Sequence, residues 1–295
     1  MRKLCAILFS IAFAASVAQA QPASTLDKIK ATGVISLGHR ESSIPFSYYD
    51  ENQNVIGYSQ DFANAAVAAI KAKLGMPDLK VKFTPITSQN RIPLVMNNTI
   101  DLECGSTGNL VERQSQVAFS DTIFLVGTRL LTKKDSGVKD WADLKGKTVV
   151  TTAGTIPERM LREMNQNKGT NMNIISAKDH GDSFLMLSTG RAVAFFMDDA
   201  LLAGERAKVS NAGDFVIVGA SQSKDAYACM MRKGDPEFKK VVDDAVAAVE
   251  TSGEADKIYK KWFESPIPPQ GLNLNFPESD DIKALYKSPN DKAPG

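Results

Sequence analysis

Small polar residues and a fixed cation follow an apolar run in the first half of the chain. Residues 99–102 predict a short strand, and residues 103–114 read ECGSTGNLVERQ, with Glu112 and Arg113 opening a predicted helix. Such a turn presents backbone N–H groups and hydroxyls to an anion, and an arginine adds permanent positive charge. An ordinary polar loop with a solvated Arg113 is the alternative, and this stretch alone does not decide between them.

Side chains of the same kinds follow the other predicted strands. In open α/β sheets, ligands bind beyond the carboxyl ends of strands and at helix N-termini. An arginine fork matches a carboxylate, and a single aspartate among several cations matches an ammonium group, which here indicates a pocket for an acidic amino acid. The residues in these positions are His39, Arg40, Ser88, Arg91, Ser106, Thr107, Arg113, Gly154, Thr155, His180 and Asp198.

The elements that must position these residues alternate between apolar runs and amphipathic segments. This alternation predicts the α/β class, with largely parallel sheets. Ser59 is expected to cap the first long helix, and either Asp198 or its neighbour Asp199 is expected to cap a later one. Strands are predicted at residues 34–38, 79–83, 99–102, 128–132, 148–152, 174–177, 192–197, 216–218 and 226–231, and helices at residues 61–74, 92–96, 141–144, 156–165, 182–188 and 236–253, the last followed by one ending at Phe263.

The first twenty residues, MRKLCAILFSIAFAASVAQA, have the form of a cleavable secretory signal peptide. Arg2 and Lys3 precede an apolar stretch that ends in the small-x-small pattern before Gln21. We therefore expect an exported mature chain of about 275 residues, enough for two domains with separate cores. Removing the two leader cations from 35 basic residues leaves 33 against 34 acidic ones, a net charge of about −1. This balance favours neither nucleic acid nor an anionic membrane as a partner.

Two cysteines, Cys104 and Cys229, remain after the leader. An even pair in an oxidising compartment predicts one disulfide, and two buried thiols are the alternative. Two cysteines and two histidines do not readily supply a metal site, so we expect no metal and no cofactor.

Several stretches resemble the periplasmic solute-binding proteins of polar amino acid ABC importers (solute-binding protein family 3). The segments ERQ…AFSD and MDDALL are typical of amino acid-binding members in general, whereas GHRESS, ITSQNR and AKDHGDS are similar to the glutamate/aspartate type. The resemblance covers nearly all of the mature chain. It implies a periplasmic, monomeric carrier that delivers L-glutamate and L-aspartate to an inner-membrane permease.

The resemblance also implies a role for each candidate residue. Arg113 would bind the α-carboxylate with help from Thr107, Gly108 and Thr155. Asp198 and the region of Ser106 would hold the ammonium group. One departure stands out, because Ile156 occupies a position where relatives commonly carry a second hydroxyl. The side-chain carboxylate would be held by Arg40, Ser88, Arg91 and His180.

The fold that the resemblance implies is the periplasmic-binding-protein fold, in which two α/β lobes are joined by two β hinge strands around a ligand cleft. The first lobe would comprise residues 21–129 and 224–295, and the second lobe residues 130–223. Both cysteines then fall in the first lobe, which favours the disulfide.

Two other functional classes are compatible with such a fold. A few exported dehydratases share it, so fold alone does not exclude an enzyme. The chain has no Gly-x-Ser-x-Gly elbow and no phosphate loop, and the candidate residues position groups rather than transfer protons, with His180 the one plausible base. We therefore predict a binding protein and not an enzyme. A module that presents its lobes to a sensor would keep the same pocket without a transporter.

Overall fold

The computed structural model describes residues 24–294, so the predicted signal peptide at residues 1–20 lies outside the described residues. The strands are β1 Val34–His39, β2 Ser42–Ser43, β3 Ser47–Tyr49, β4 Val55–Ile56, β5 Lys80–Pro85, β6 Leu102–Glu103, β7 Val117–Val126, β8 Thr128–Lys133, β9 Thr148–Thr152, β10 Asn173–Ala177, β11 Ala194–Asp198, β12 Phe215–Val218, β13 Asp225–Arg232, β14 Pro266–Ile267 and β15 Leu272–Asn273. The helices are α1 Thr25–Thr32, α2 Tyr58–Leu74, α3 Arg91–Met96, α4 Val111–Gln114, α5 Ile156–Asn167, α6 His180–Ser188, α7 Asp199–Ala207, α8 Pro236–Thr251, α9 Glu254–Phe263 and α10 Asp280–Lys287, with 3₁₀ turns at Trp141–Leu144 and Ala212–Asp214.

Two five-stranded sheets organise the chain. The first has the order β5-β1-β6-β13-β7 and the second the order β10-β9-β11-β8-β12. The predicted α/β class is confirmed. The expectation of largely parallel sheets is wrong, because each sheet has two parallel and two antiparallel pairings. The antiparallel pairings involve β7, β8, β12 and β13, through which the chain crosses between the sheets directly, without an intervening helix. We call the first sheet with its helices the first lobe and the second sheet with α5, α6 and α7 the second lobe.

The two crossings run side by side. On the outward crossing only Gly127 separates β7 from β8, and the return crossing spans residues 219–224, between β12 and β13. A Cβ atom on Gly127 would lie 2.1 Å from Ser221 Oγ, so a side chain there would have to displace the Ser221 hydroxyl for the two segments to approach this closely. Strand β7 was not among the elements predicted from sequence, although its ten residues are the longest strand described.

Helix α2 begins differently from the sequence-based expectation. Ser59 does not cap it, because the helix starts at Tyr58 and the preceding Gly57 holds a φ of 138°. A Cβ atom at Gly57 would lie 2.3 Å from the carbonyl oxygen of Phe46, which excludes a capping side chain. The Ser59 hydroxyl instead donates to the carbonyl of Gly105 at 2.8 Å and so fixes the loop that follows β6.

A cluster of aromatic side chains packs the first lobe against the end of the chain. Phe124 stacks on Phe263 with ring centroids 4.8 Å apart, and Phe46 meets Phe124 edge-on at 4.9 Å. Helix α10 joins this cluster through the hydroxyl of Tyr286, which lies 2.7 Å from the hydroxyl of Tyr58. The chain after α9 therefore completes the first lobe.

The predicted disulfide between Cys104 and Cys229 is confirmed. It joins the loop after β6 to the middle of β13, two neighbouring parts of the first sheet. Within residues 24–294, no helix is both long enough and apolar enough to span a membrane.

Candidate ligand-binding cleft

The candidate residues converge from both lobes because each follows a strand or begins a helix. Arg40 follows β1 and Arg91 begins α3, both in the first lobe. In the second lobe, His180 begins α6 after β10 and Asp198 ends β11. A narrow cavity between the lobes is lined by Arg91, Ser106, Gly108, Arg113, Thr155, Ile156, Pro157, His180, Met197, Asp198, Leu201 and Tyr227.

One side of the cleft is rich in buried donors that the protein itself does not satisfy. Arg40 is 1 % exposed, yet neither Nη1 nor Nη2 has a hydrogen-bond partner in the described part of the chain. The same is true there of Arg91 Nε, Ser88 Oγ and His180 Nε2. Buried polar groups are nearly always paired in native proteins. Unsatisfied groups that include two guanidiniums fit an anionic group better than an apolar one.

The pKa values of these groups reflect their mutual repulsion as well as burial. Burial, followed by the charge of Arg91, lowers the pKa of Arg40 to about 10. Burial, followed by Arg40 and Arg91, lowers the pKa of His180 well below its usual value, so its imidazole is neutral at pH 7. The charge of Arg91 therefore acts on Arg40, and the charges of both arginines act on His180.

His180 is oriented from behind by Thr152. The Thr152 hydroxyl lies 2.9 Å from His180 Nδ1. In the tautomer in which Thr152 donates to Nδ1, the ring hydrogen sits on Nε2, the atom without a partner among the described residues. His180 then presents a neutral donor to the cleft.

Arg113 lies on the other side of the cavity. Its Nη1 donates to the carbonyl of Gly108 at 3.0 Å, within the first lobe, and its Nη2 to the carbonyl of Gly154 in the second lobe at 3.4 Å. Burial, followed by the charges of Arg91 and Arg159, lowers its pKa to about 9, which leaves it charged at pH 7.

Two of the predicted hydroxyl contacts are already used within the protein. Thr155 caps α5, where its hydroxyl donates to the carbonyl of Thr152 at 2.6 Å and accepts from the backbone N–H of Glu158 at 3.1 Å. The Thr107 hydroxyl donates to Glu103 Oε2 at 2.6 Å and accepts from Arg91 Nη1 at 2.5 Å. Thr107 therefore holds Arg91 in place and, with Arg40 and Ser88, is not among the residues lining the cavity.

Asp198 is the acidic group of the cavity. It accepts hydrogen bonds from the hydroxyl of Tyr227 and, at 3.1 Å, from the hydroxyl of Thr128. Burial, followed by the charge of Asp225, raises the pKa of Asp198 to about 7. Asp198 occupies the N-cap position of α7 without a capping hydrogen bond, whereas Asp199 accepts from the N–H of Gly127 at 3.3 Å.

Sequence reasoning missed several residues of this site. Glu103 is fully buried close to Arg40 and Arg91 and partly offsets their positive charge. Tyr227 and Thr128 bind Asp198 directly. Glu103 stands in the same quoted turn as Arg113, but nothing in the local pattern distinguishes an inward carboxylate from a solvated one.

The cleft is closed in this structure. Arg159 of α5 forms an ion pair with Glu112 of α4 at 2.6 Å, and the N–H of Gly181 donates to Ser42 Oγ at 3.3 Å. A Cβ atom on Gly204 would lie 1.9 Å from the carbonyl oxygen of Ile44. The lobes are thus in direct contact on both sides of the cavity. In the described part of the chain no group of three or more His, Cys, Asp or Glu side chains is placed to hold a metal ion.

Comparison with known proteins agrees with this architecture. Residues 35–265 match the profile of the bacterial extracellular solute-binding proteins, family 3. The chain is 61% identical over 298 residues to a glutamate/aspartate import solute-binding protein of Escherichia coli, covering 99% of each chain. It is 60% identical over 270 residues to an L-glutamate/L-aspartate-binding protein of Pseudomonas aeruginosa, covering 91% of this chain and 89% of that one.

A solved structure with the same architecture is the cysteine-binding protein of Campylobacter jejuni. It superposes with a TM-score of 0.71 at 28% identity and covers 81% of this chain and 93% of that one. These relatives are named as binding proteins and not as enzymes, in agreement with the prediction made from sequence.

Proposed function

The chain belongs to the bacterial extracellular solute-binding proteins, family 3, and we propose that it captures L-glutamate and L-aspartate between its lobes for an ABC importer. The relatives that are 60–61% identical are named for these two amino acids. In this proposal the closed protein carries the amino acid to an inner-membrane permease. Its compartment is the periplasm, reached through the cleavable leader, and it works as a monomer that needs no nucleic acid or cofactor.

The unsatisfied donors of the cleft are the observation that carries the proposal. A second carboxylate on the ligand would accept from Arg40, Arg91 Nε, Ser88 and His180, all of which have unpaired buried atoms within the described residues. A neutral side chain would leave the two guanidiniums with only the buried Glu103 to offset their charge, at a cost of several kcal/mol. The cleft therefore favours amino acids with acidic side chains.

The α-amino acid group takes the rest of the cavity. Arg113 binds the α-carboxylate, with Gly108 and the N-terminus of α5 at Thr155 beside it. Asp198 accepts from the ammonium group, with Ser106 nearby in the cavity wall. The Thr107 hydroxyl contributes by holding Arg91 rather than by binding the ligand itself, which is a smaller role than the one expected from sequence.

The proposed lobes are residues 21–129 with 224–295 and residues 130–223, and ligand binding brings them together. A ligand that touches both lobes favours the closed state by the contacts that only this state offers. The two crossings are short, with one residue between β7 and β8 and six residues between β12 and β13, as a hinge requires.

The direct test is to identify the ligand. Protein purified from periplasm is denatured, and the mass of any released small molecule is measured. The refolded protein is then titrated by calorimetry with glutamate, aspartate, glutamine, asparagine, arginine and cysteine. Tight binding of the two acidic amino acids alone supports the proposal. Binding of another amino acid with higher affinity than either of them would overturn it.

A further inference from the structure

A row of four oxygen atoms connects Asp198 with a second buried carboxylate, Asp225. Asp198 Oδ1 lies 3.1 Å from Thr128 Oγ1, which lies 2.9 Å from Ser223 Oγ. Ser223 Oγ in turn lies 2.5 Å from Asp225 Oδ2. Thr128 begins β8, directly after the outward crossing at Gly127, whereas Ser223 belongs to the return crossing and Asp225 begins the strand that follows it. The row therefore runs from the ligand cavity past the outward crossing and through the return crossing.

The hydrogen atoms in this row do not suffice if both carboxyl groups are ionised. Three oxygen–oxygen contacts need three hydrogens, and Thr128 and Ser223 supply one hydroxyl hydrogen each. If both hydroxyls donate outward to the carboxylates, the contact of 2.9 Å between Thr128 and Ser223 brings two lone pairs together. The backbone N–H of Thr128, which donates to Ser223 Oγ at 3.2 Å, does not lie between those two oxygens. One carboxylic acid hydrogen completes the row.

We propose that Asp198 and Asp225 share one proton through Thr128 and Ser223, and that Asp225 keeps this proton when a cationic group lies against Asp198. The ligand part of this inference rests on the proposed function, because it takes the cation to be the ammonium group of an amino acid. Asp225, Ser223 and Thr128 are then positioning residues for the ammonium site.

The transfer is balanced and needs no other reactant. With the proton on Asp198, hydrogens point from Asp198 to Thr128, from Thr128 to Ser223 and from Ser223 to Asp225. When each oxygen passes its hydrogen one place along, Asp225 becomes the neutral acid and Asp198 the carboxylate. All three hydrogen bonds survive with reversed direction, and the Thr128 hydroxyl now donates to Asp198.

The surroundings favour one negative charge over two. Asp198 also faces the hydroxyl of Tyr227 from β13 and the carboxylate of Asp199 from α7. Burial is the largest effect on Asp225 and raises its pKa overall, although the charges of Arg113 and Arg159 lower it. Burial raises the pKa of both carboxyl groups, and the charge of Asp225 raises the pKa of Asp198 further. A second ionisation would add a buried anion to a region that already holds Asp199.

Binding measurements with two ligands isolate the ammonium site. Glutarate is glutamate without its α-amino group. The dissociation constant of glutarate divided by that of glutamate, which we call the ammonium ratio, therefore reports the ammonium contact alone. Asp225→Asn supplies a permanent amide donor to Ser223 and should keep this ratio within about threefold of wild type. Ser223→Ala and Asp225→Leu break the row and should lower the ratio about tenfold or more. The control is Ser210→Ala, at an exposed site of the second lobe, which should leave it unchanged.

The ratio of glutamate to glutamine affinity serves as the internal control, because it reports the distal carboxylate. A merely structural effect would change both ratios together, whereas the proposal predicts that Ser223→Ala and Asp225→Leu change the ammonium ratio alone. If Asp225→Asn lowers the ammonium ratio as much as Asp225→Leu does, the charge of Asp225 matters and the proposal is wrong. An unchanged ratio in Ser223→Ala would also overturn it.

Carbon-13 NMR of aspartate carboxyl groups tests the shared proton without any ligand. At pH 7 we expect a carboxyl signal of the ligand-free protein at a protonated chemical shift that is absent from Asp225→Asn. Identical counts of protonated aspartates in the two proteins would overturn the shared proton. Failure to bind glutamate, with this signal present, would reject the proposed function alone.

Discussion

Arg113 of the first lobe donates to the carbonyl of Gly154 in the second lobe at 3.4 Å, across the mouth of the cavity. The same guanidinium donates to Gly108 in its own lobe at 3.0 Å. One side chain therefore belongs both to the wall of the cavity and to the contact between the lobes.

The first prediction concerns the loss of this guanidinium. Arg113→Ala should weaken glutamate and aspartate binding alike, by about 2–5 kcal/mol, because a buried α-carboxylate would lose its charged partner. Calorimetry measures both ligands. Arg159→Ala is the control, since it removes only exposed ion pairs, to Glu112 and Glu163, and should cost less than about 1 kcal/mol. A near-normal dissociation constant in Arg113→Ala would exclude it from the site.

Selectivity for an acidic side chain should depend on Arg40. The wild-type protein is expected to reject glutamine by about 10⁴-fold relative to glutamate, since the amide group cannot satisfy the buried donors. Arg40→Met should reduce this discrimination by at least about tenfold, because its two unpaired Nη atoms are removed. Competition binding measures the ratio, with the exposed Arg191→Met as the control. Wild-type protein that binds glutamine as well as aspartate would refute the assignment.

Closure can be blocked at a single glycine. In Gly204→Ala the new methyl carbon would lie 1.9 Å from the carbonyl oxygen of Ile44, a backbone atom of the opposite lobe. We expect ligand affinity to fall at least about tenfold, while the thermal stability of the ligand-free protein changes little because the lobes can separate. Small-angle scattering should show that saturating glutamate compacts the wild type more than the variant. The control is Gly213→Ala, where a Cβ atom meets nothing within 4 Å.

The disulfide should contribute strongly to the stability of the first lobe. It closes a loop with a sequence separation of 125 residues. Replacing both Cys104 and Cys229 by serine should therefore lower the free energy of unfolding by about 2–4 kcal/mol, measured by urea denaturation without reductant. Ligand affinity should remain nearly unchanged, because neither cysteine lines the cavity. Equal stability of the double variant and wild type would contradict this expectation.

Glu250 should make stability depend on pH. Burial, followed by the charge of Asp121, raises its pKa to about 9. The folded protein therefore holds a proton that the unfolded chain releases above pH about 4.3, so this residue's contribution to stability falls as pH rises toward 9. Glu250→Gln does not show this loss. The free energy of unfolding of the variant minus that of wild type should therefore increase from pH 6 to pH 8.5, as measured by urea unfolding. A difference that is independent of pH would show that Glu250 does not titrate as expected.

The sequence by itself determined the class of the fold and several of the polar residues that meet at the cavity between the lobes. Alternating strands and helices predicted α/β structure, and polar residues after the strands predicted an anion pocket that includes Arg91, Arg113, His180 and Asp198, which line one cavity. The fold class and the grouping of these residues could be predicted because the C-terminal end of a strand is a local feature, and its geometry directs whatever follows it towards the edge of the sheet.

The tertiary structure alone decided how each polar group is used. Thr107 and Thr155 carry hydroxyls of the expected kind, but their partners are Glu103 with Arg91 and the carbonyl of Thr152 with the N–H of Glu158. The row from Asp198 to Asp225 likewise joins residues separated by up to 95 positions in the chain. A residue's type states which hydrogen bonds it can make. Which of them it does make depends on atoms that packing brings within about 3 Å, and local sequence carries no record of these distant neighbours.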